Sequence, residues 1–216
     1  MKSLVLLLLL FLGHIFWLSD TNGQGLPEIL EQVLSTDTTY ESISCTIDIT
    51  LDVPGISMPE KEIELRLEKG KAPKIKSEGI TILPKHGIIG QYREFLEAEG
   101  QVISLYEHGD TVAYKIVSLD RKTDWVTVDL TLTQSDAHVH RMIISTRKHG
   151  EYLVRHFYSD TTELFPEQTE VSFESIPFNL PLKFMGKQEG LEIMTHEKGP
   201  VTGKILLRYS EVSWVK

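Results

Sequence analysis

The chain has 216 residues, a formal net charge of −9, 41% apolar residues and a single cysteine. The acidic balance excludes a nucleic-acid partner, because neutralising phosphates requires a basic face. It also excludes simple adsorption to an anionic membrane surface.

The N-terminus sets the expected destination. Lys2 is followed by an unbroken apolar run over residues 4–12, a weaker extension over 15–18, and then the polar residues Ser19, Asp20, Thr21, Asn22 and Gly23. That order reads as a secretory signal peptide. The run is short against the ~20 apolar residues a spanning helix requires. The alternative is an uncleaved N-terminal anchor. Residues 1–23 are therefore expected to be the signal and residues 24–216 a single mature domain. Without an A-x-A pattern the cleavage site is fixed only to within a few residues. Losing Lys2 and Asp20 together leaves the net charge unchanged. A domain of that length can bury one core without staples. Cys45 has no partner for an intrachain disulfide, and it does not adjoin the apolar run, where a lipid-modified cysteine would sit.

The mature chain opens with a helical stripe formed by Leu26, Ile29, Leu30, Val33 and Leu34. Pro27 suits a first turn, and Glu28 and Glu31 suit the positive end of a helix. The strongest β signal follows. Ile43, Cys45, Ile47, Ile49, Leu51 and Val53 alternate with Ser44, Thr46, Asp48, Thr50 and Asp52. Strict alternation puts one face in an apolar environment and the other in water. Pro54 and Gly55 end this segment. Ile63, Leu65 and Leu67 then alternate with Glu62, Glu64, Arg66 and Glu68 before the turn at Lys69 and Gly70. Ile75, Ile80 and Ile82 belong to further extended segments, ended by Pro84. Ile88, Ile89, Tyr92, Phe95 and Leu96 return to helical spacing. Residues 102–106, 112–117, 125–132, 139–145, 152–158, 170–174 and 203–214 are further strands. His149 and Gly150 form a hairpin turn, and Pro177 and Pro181 mark a loop. Many strands at close spacing with two short helices indicate a barrel or a strongly curved sheet.

Few residues carry chemistry. His138 and His140 are two apart on a strand and point the same way, with Asp136, His149 and His156 close in sequence. Zinc normally requires four ligands at defined distances. A two-residue turn at His149 and Gly150 would place His156 on the opposite face, and a three-residue turn on the same face. Solvated strand histidines are the expectation, with no metal and no cofactor. No G-x-S-x-G elbow, phosphate loop or H-E-x-x-H helix occurs, so no catalytic residue is assigned and the protein is not expected to be an enzyme. Cys45 lies in the apolar row and is expected to be a buried, inert thiol. The row from Ile43 to Val53 either fills a core or lines a cavity. Alternation does not separate the two.

The order of segments resembles the LolA/LolB-like periplasmic lipoprotein-localisation superfamily, particularly its outer-membrane lipoprotein-sorting type. The resemblance rests on the leader, the first helix and the long alternating strand from Ser42 to Asp52. It rests also on the basic, proline-bearing stretch 71–87 with Leu83-Pro84, on 139–174 with Leu164-Phe165-Pro166, and on the closing strand at 203–209. It covers nearly all of the mature chain as a pattern, with no single specific motif. It implies a mainly β fold, an open half-barrel of curved antiparallel sheet with short helices as a lid over an apolar concave face. It implies a periplasmic carrier that shields lipid or lipoprotein acyl chains. Candidate cavity-lining residues are then Ile43, Ile47, Ile49, Leu51, Ile63, Leu65 and Leu67, and candidate lid residues are Leu30, Val33, Tyr92 and Phe95. The carriers are also expected to hold the lid with an arginine on an early strand. Arg66 is the only arginine of the first two strands, and it falls in the polar phase. The alternative is a non-carrier envelope module that binds a protein and whose closed sheet is filled by its own side chains. A monomer is expected in either case.

Overall fold

Apolar residues at every second position become sheet here, because only an extended strand turns alternate side chains to one side. The computed structural model describes residues 25–36, 40–54, 56–57, 59–69, 71, 74–76, 87–148, 150–159, 165–177, 192–193 and 200–215. Helix α1 (Glu28–Thr36) precedes β1 (Ser42–Asp52), β2 (Ile56–Ser57), β3 (Lys61–Glu68) and β4 (Lys74–Lys76). Helix α2 (Gly87–Leu96) leads into β5 (Gly100–His108), β6 (Thr111–Ser118), β7 (Trp125–Thr133), β8 (Val139–Thr146) and β9 (Glu151–Phe157). The chain continues through β10 (Gln168–Pro177), β11 (Glu192–Ile193) and β12 (Pro200–Val215). The leader, the extended segment with Ile80 and Ile82, His149 and Pro181 lie outside the described residues.

Ten strands form one antiparallel sheet in the order β4-β3-β1-β12-β10-β9-β8-β7-β6-β5. Strands β5 to β10 run as a meander. The long β12 joins that meander to the N-terminal hairpin by pairing with β10 on one side and β1 on the other. The first and last strands of the order do not pair, so the sheet is an open half-barrel rather than a closed one. Its two edges differ. β4 has three residues, two of them lysines, which blunts it against pairing with other chains. β5 has nine residues, no lysine, and exposed Ile103, Leu105 and Tyr106.

The inner face is one continuous apolar cluster. Ile47, Ile49 and Ile63 from the N-terminal hairpin meet Val128, Leu130, Leu132 and Met142 from the meander, all with 1% or less of their surface exposed. Both helices lie on this face. Leu30 and Val33 of α1 and Tyr92, Phe95 and Leu96 of α2 are buried in the same cluster, and the two helices touch each other. The Pro27 carbonyl accepts from the amides of Leu30 and Glu31, so the chain enters α1 directly after the proline. Outward-facing carboxylates and cations pair on the opposite face, as Lys115 does with Asp129.

Five irregularities interrupt the pairing along the strands. Register shifts occur opposite Cys45 in β12, between Phe173 and Ile176 in β10, near Leu105 in β5, and twice between β7 and β8, at Trp125–Thr127 and where Thr131 faces Arg141 but Leu132 faces Val139. An extra residue in one strand of a pair is a β-bulge, which bends the strand and increases its twist. Glu211 adopts φ +52° at the first of these. Such bends let a wide sheet curl around its helices.

Candidate functional site

The inner face under the two helices is the candidate site. In β1, Ile43, Cys45, Ile47 and Ile49 are buried while the intervening residues through Asp48 are only partly covered. β3 continues the row across the sheet, with Ile43 opposite Leu67, Cys45 opposite Leu65 and Ile47 opposite Ile63. Ile43, Ile47, Ile49, Ile63 and Leu65 join the central cluster, and Leu67 packs against it partly exposed. Leu51 is half-exposed and stands outside the cluster. β3 begins at Lys61, opposite Ile49, so beyond that point β1 has only β12 beside it in the sheet. All four helical residues, Leu30, Val33, Tyr92 and Phe95, are brought onto these strands. Phe95 meets Trp125 edge-on, with ring centroids 5.3 Å apart.

Arg66 is not part of this arrangement. It points out of the sheet, and its Nε lies 3.1 Å from Glu68. Glu68 also takes Lys71 and, at 2.9 Å, Lys74. The hydrogen bonds from those two lysines hold the Glu68 carboxyl down at about 2. Arg66 thus belongs to an exposed ion-pair group and contacts neither helix in any described interaction.

A polar group is set into the apolar face beneath α2, and sequence pattern alone did not single it out. The cross-sheet row of Ile49 and Leu207 continues through Thr169 to His156. Thr169 Oγ1 and His156 Nδ1 share a hydrogen bond of 2.8 Å. Tyr92 of α2 meets the imidazole in a T-shaped contact, with centroids 6.1 Å apart and planes at 83°. His156 is 3% exposed, and its Nε2 has no hydrogen-bond partner among the described residues. Burial, and secondarily the nearby His140, pushes the imidazole down to about 3, so it is neutral. Burial likewise raises the phenols of Tyr92, Tyr158 and Tyr209. The Tyr158 hydroxyl donates to the Val139 carbonyl at 3.3 Å and lies near that of Tyr92 without the geometry of a hydrogen bond.

The other histidines sit at the rim of this group. His138 stacks on Tyr158, with centroids 4.1 Å apart and planes at 6°, and its amide donates to Asp136. His140 is exposed and bonds Thr133. The turn between β8 and β9 is the longer of the two anticipated forms. The Thr146 amide donates to the Gly150 carbonyl across residues 147–149, and Arg141 pairs with Arg155. Gly150 adopts φ +74°, a left-handed conformation that closes three-residue hairpins and that glycine reaches without strain. This register brings His156 toward His138 and His140. The imidazoles do not converge, however. His138 and His140 have centroids 6.4 Å apart, and no group of three or more His, Cys, Asp or Glu side chains among the described residues is placed to hold a metal ion. Cys45 is buried, and burial raises its thiol to about 11, which makes it unreactive at neutral pH.

An open antiparallel half-barrel with two short amphipathic helices on its inner apolar face defines a LolA-like fold. Solved structures of the same type exist. A putative outer-membrane lipoprotein-sorting protein domain from Vibrio parahaemolyticus superposes with a TM-score of 0.51 at 10% identity, over 87% of this chain and 91% of that one. A DUF1329 family protein from Desulfovibrio piger gives 0.51 at 6% identity, over 89% and 94%. A LolA superfamily protein from Nitrosomonas europaea gives 0.45 at 10% identity, over 90% and 94%. No family model matches the sequence, and no curated protein matches it. At these identities the likeness is one of fold.

Proposed function

We propose that the chain is an exported, periplasmic carrier that shields the acyl chains of a lipid or lipoprotein, with residues 1–23 as a cleaved signal and residues 24–216 as the working domain. The observation that supports this reading most is the inner face itself. It is broad and apolar, its sheet is open, and the two elements covering it are short helices connected by chain rather than by sheet pairing. Moving acyl chains through water exposes apolar surface at a cost of about 25 cal/mol per Å². A carrier offsets that cost with a concave apolar surface. Lifting α1 and α2 would free Leu30, Val33, Tyr92 and Phe95 on the lid side. It would uncover Ile43, Ile47, Ile49, Ile63, Leu65 and Leu67 on the sheet side, with Leu51 at the margin. No catalytic constellation enters this reading.

A second reading has one observation in its favour. The helices fill the inner face, and Leu30 is completely buried against it. A self-filled sheet suits an envelope module that binds a protein on its outside instead of a lipid within. The two readings separate on one experiment. The mature protein is purified from its native compartment and its organic extract analysed by mass spectrometry. The carrier reading expects acyl lipid at near-stoichiometric amounts, whereas a clean extract together with a cross-linked protein partner supports the module.

A further inference from the structure

The buried polar group under α2 asks for a ligand of particular chemistry. The His156–Thr169 pair lies on the same cross-sheet row as Leu207 and Ile49, in the middle of the surface an acyl chain would occupy. The threonine hydroxyl fixes the imidazole through Nδ1 and can either donate or accept there. Nε2 is therefore free to act as donor or acceptor. It is buried and has no partner among the described residues. A buried polar atom in that condition costs about 1–3 kcal/mol, and such atoms in native proteins call for an explanation.

The surroundings restrict what could pair with it. The groups placed at His156 are Tyr92 from α2, Thr169 from β10 and His140 from β8, and Tyr158, just past the end of β9, lies beside Tyr92 and His140. Tyr209 from β12 adjoins them. All are uncharged hydrogen-bonding side chains. The Asp136 side chain lies close enough to act on Tyr158 and His140. None of the group's hydrogen bonds or ring contacts among the described residues involves a lysine or arginine. An anionic head would lose its hydration here and meet no cation among these partners. An uncharged ester carbonyl or hydroxyl would instead satisfy Nε2 and the Tyr92 hydroxyl.

We propose that His156, with Tyr92 against it, is a head-group subsite for an uncharged hydrogen-bonding group, so that the inner face takes acylglycerol esters in preference to free fatty-acid anions. This rests on the carrier reading above and adds the chemical class of the cargo. The head would enter as α2 lifts, with its ester or hydroxyl at Nε2 and its chain along the row of Ile49 and Ile47.

The test compares monooleoylglycerol with oleate, both below their aggregation concentrations at pH 7.5, on the mature wild-type protein and on His156→Phe and Tyr92→Phe. Phenylalanine removes only the hydroxyl of Tyr92, and at position 156 it exchanges the imidazole for a somewhat larger apolar ring. Circular dichroism and thermal unfolding check that both variants fold, and Tyr92→Phe serves if His156→Phe does not. Wild type should bind the ester about tenfold more tightly than oleate, a difference of about 1.4 kcal/mol. Each variant should lose most of that preference, with its two affinities drawn to within about threefold of each other. In the wild type, ester binding should shift the His156 ring resonances in a nitrogen-proton NMR spectrum. Equal affinities for ester and oleate, unchanged in folded variants, would overturn the subsite and leave the carrier reading intact. Binding of neither lipid would overturn the carrier reading, and the subsite with it.

Discussion

The neutral imidazole of His156 makes a quantitative prediction about acid. Burial holds it at about 3, against 6.5 for an exposed histidine. The unfolded chain therefore binds a proton that the folded one refuses. Stability from this residue is fully present above pH 6.5 and is lost progressively as pH falls toward 3. At pH 5.0 the gap below 6.5 is about 1.5 units, worth about 2 kcal/mol at 1.36 kcal/mol per unit. The assay is urea unfolding of wild type and His156→Phe at pH 7.5 and 5.0. Whatever the carboxylates contribute is common to both proteins. The variant starts lower, by about 1–2 kcal/mol, because Thr169 loses its partner. Between the two pH values the wild type should lose about 2 kcal/mol more than the variant. Equal losses in the two proteins would refute the placement of a neutral, buried His156.

Further expectations follow from packing and from the lid. A methyl group at Gly203 would meet Val53 Cγ2 at 2.5 Å and Phe173 Cζ at 3.0 Å, so Gly203→Ala should cost about 1–3 kcal/mol by thermal unfolding. Phe95→Ala removes the ring packed on Trp125 and should cost about 3–5 kcal/mol if α2 unfolds with the sheet. A much smaller loss, with early hydrogen exchange confined to α2, would mark the helix as a separately opening element. Arg66→Gln should leave lipid uptake unchanged, because the side chain points outward to Glu68; a loss of uptake would restore the lid-holding role to it.

Much of the fold was legible because its signals are local. The alternation from Ile43 to Ile49 predicts β1 and its buried side, and the apolar stripes at Leu30 and Val33 and at Tyr92 and Phe95 predict the two helices and the faces they bury. The conformation of Gly150, and not any pattern of apolar residues, settles the turn length that places His156. The bulges were not legible. His140 and Arg141 are exposed side by side, between buried Val139 and Met142, so simple alternation fails along β8. Leu51 keeps the phase of its row but loses the cover of β3, which depends on where a different strand begins. The polar group under α2 was hidden for a related reason. His156, Thr169, Tyr209 and Tyr92 lie on four separate elements, and only the register of β9, β10 and β12 brings three of them to one row and its neighbour. A buried histidine at an inward position of β9 was the one sequence signal available.

The central claim is that the inner face accepts an acyl chain in place of its own helices. It is tested most directly by titrating the delipidated mature protein with a fluorescent acylglycerol and following α1 and α2 by hydrogen exchange in the same samples. The account predicts saturable binding of one probe per chain, competed by unlabelled ester, with exchange in both helices changing as the site fills while β7 stays protected. Absence of saturable binding, with the helices equally protected throughout, would contradict it.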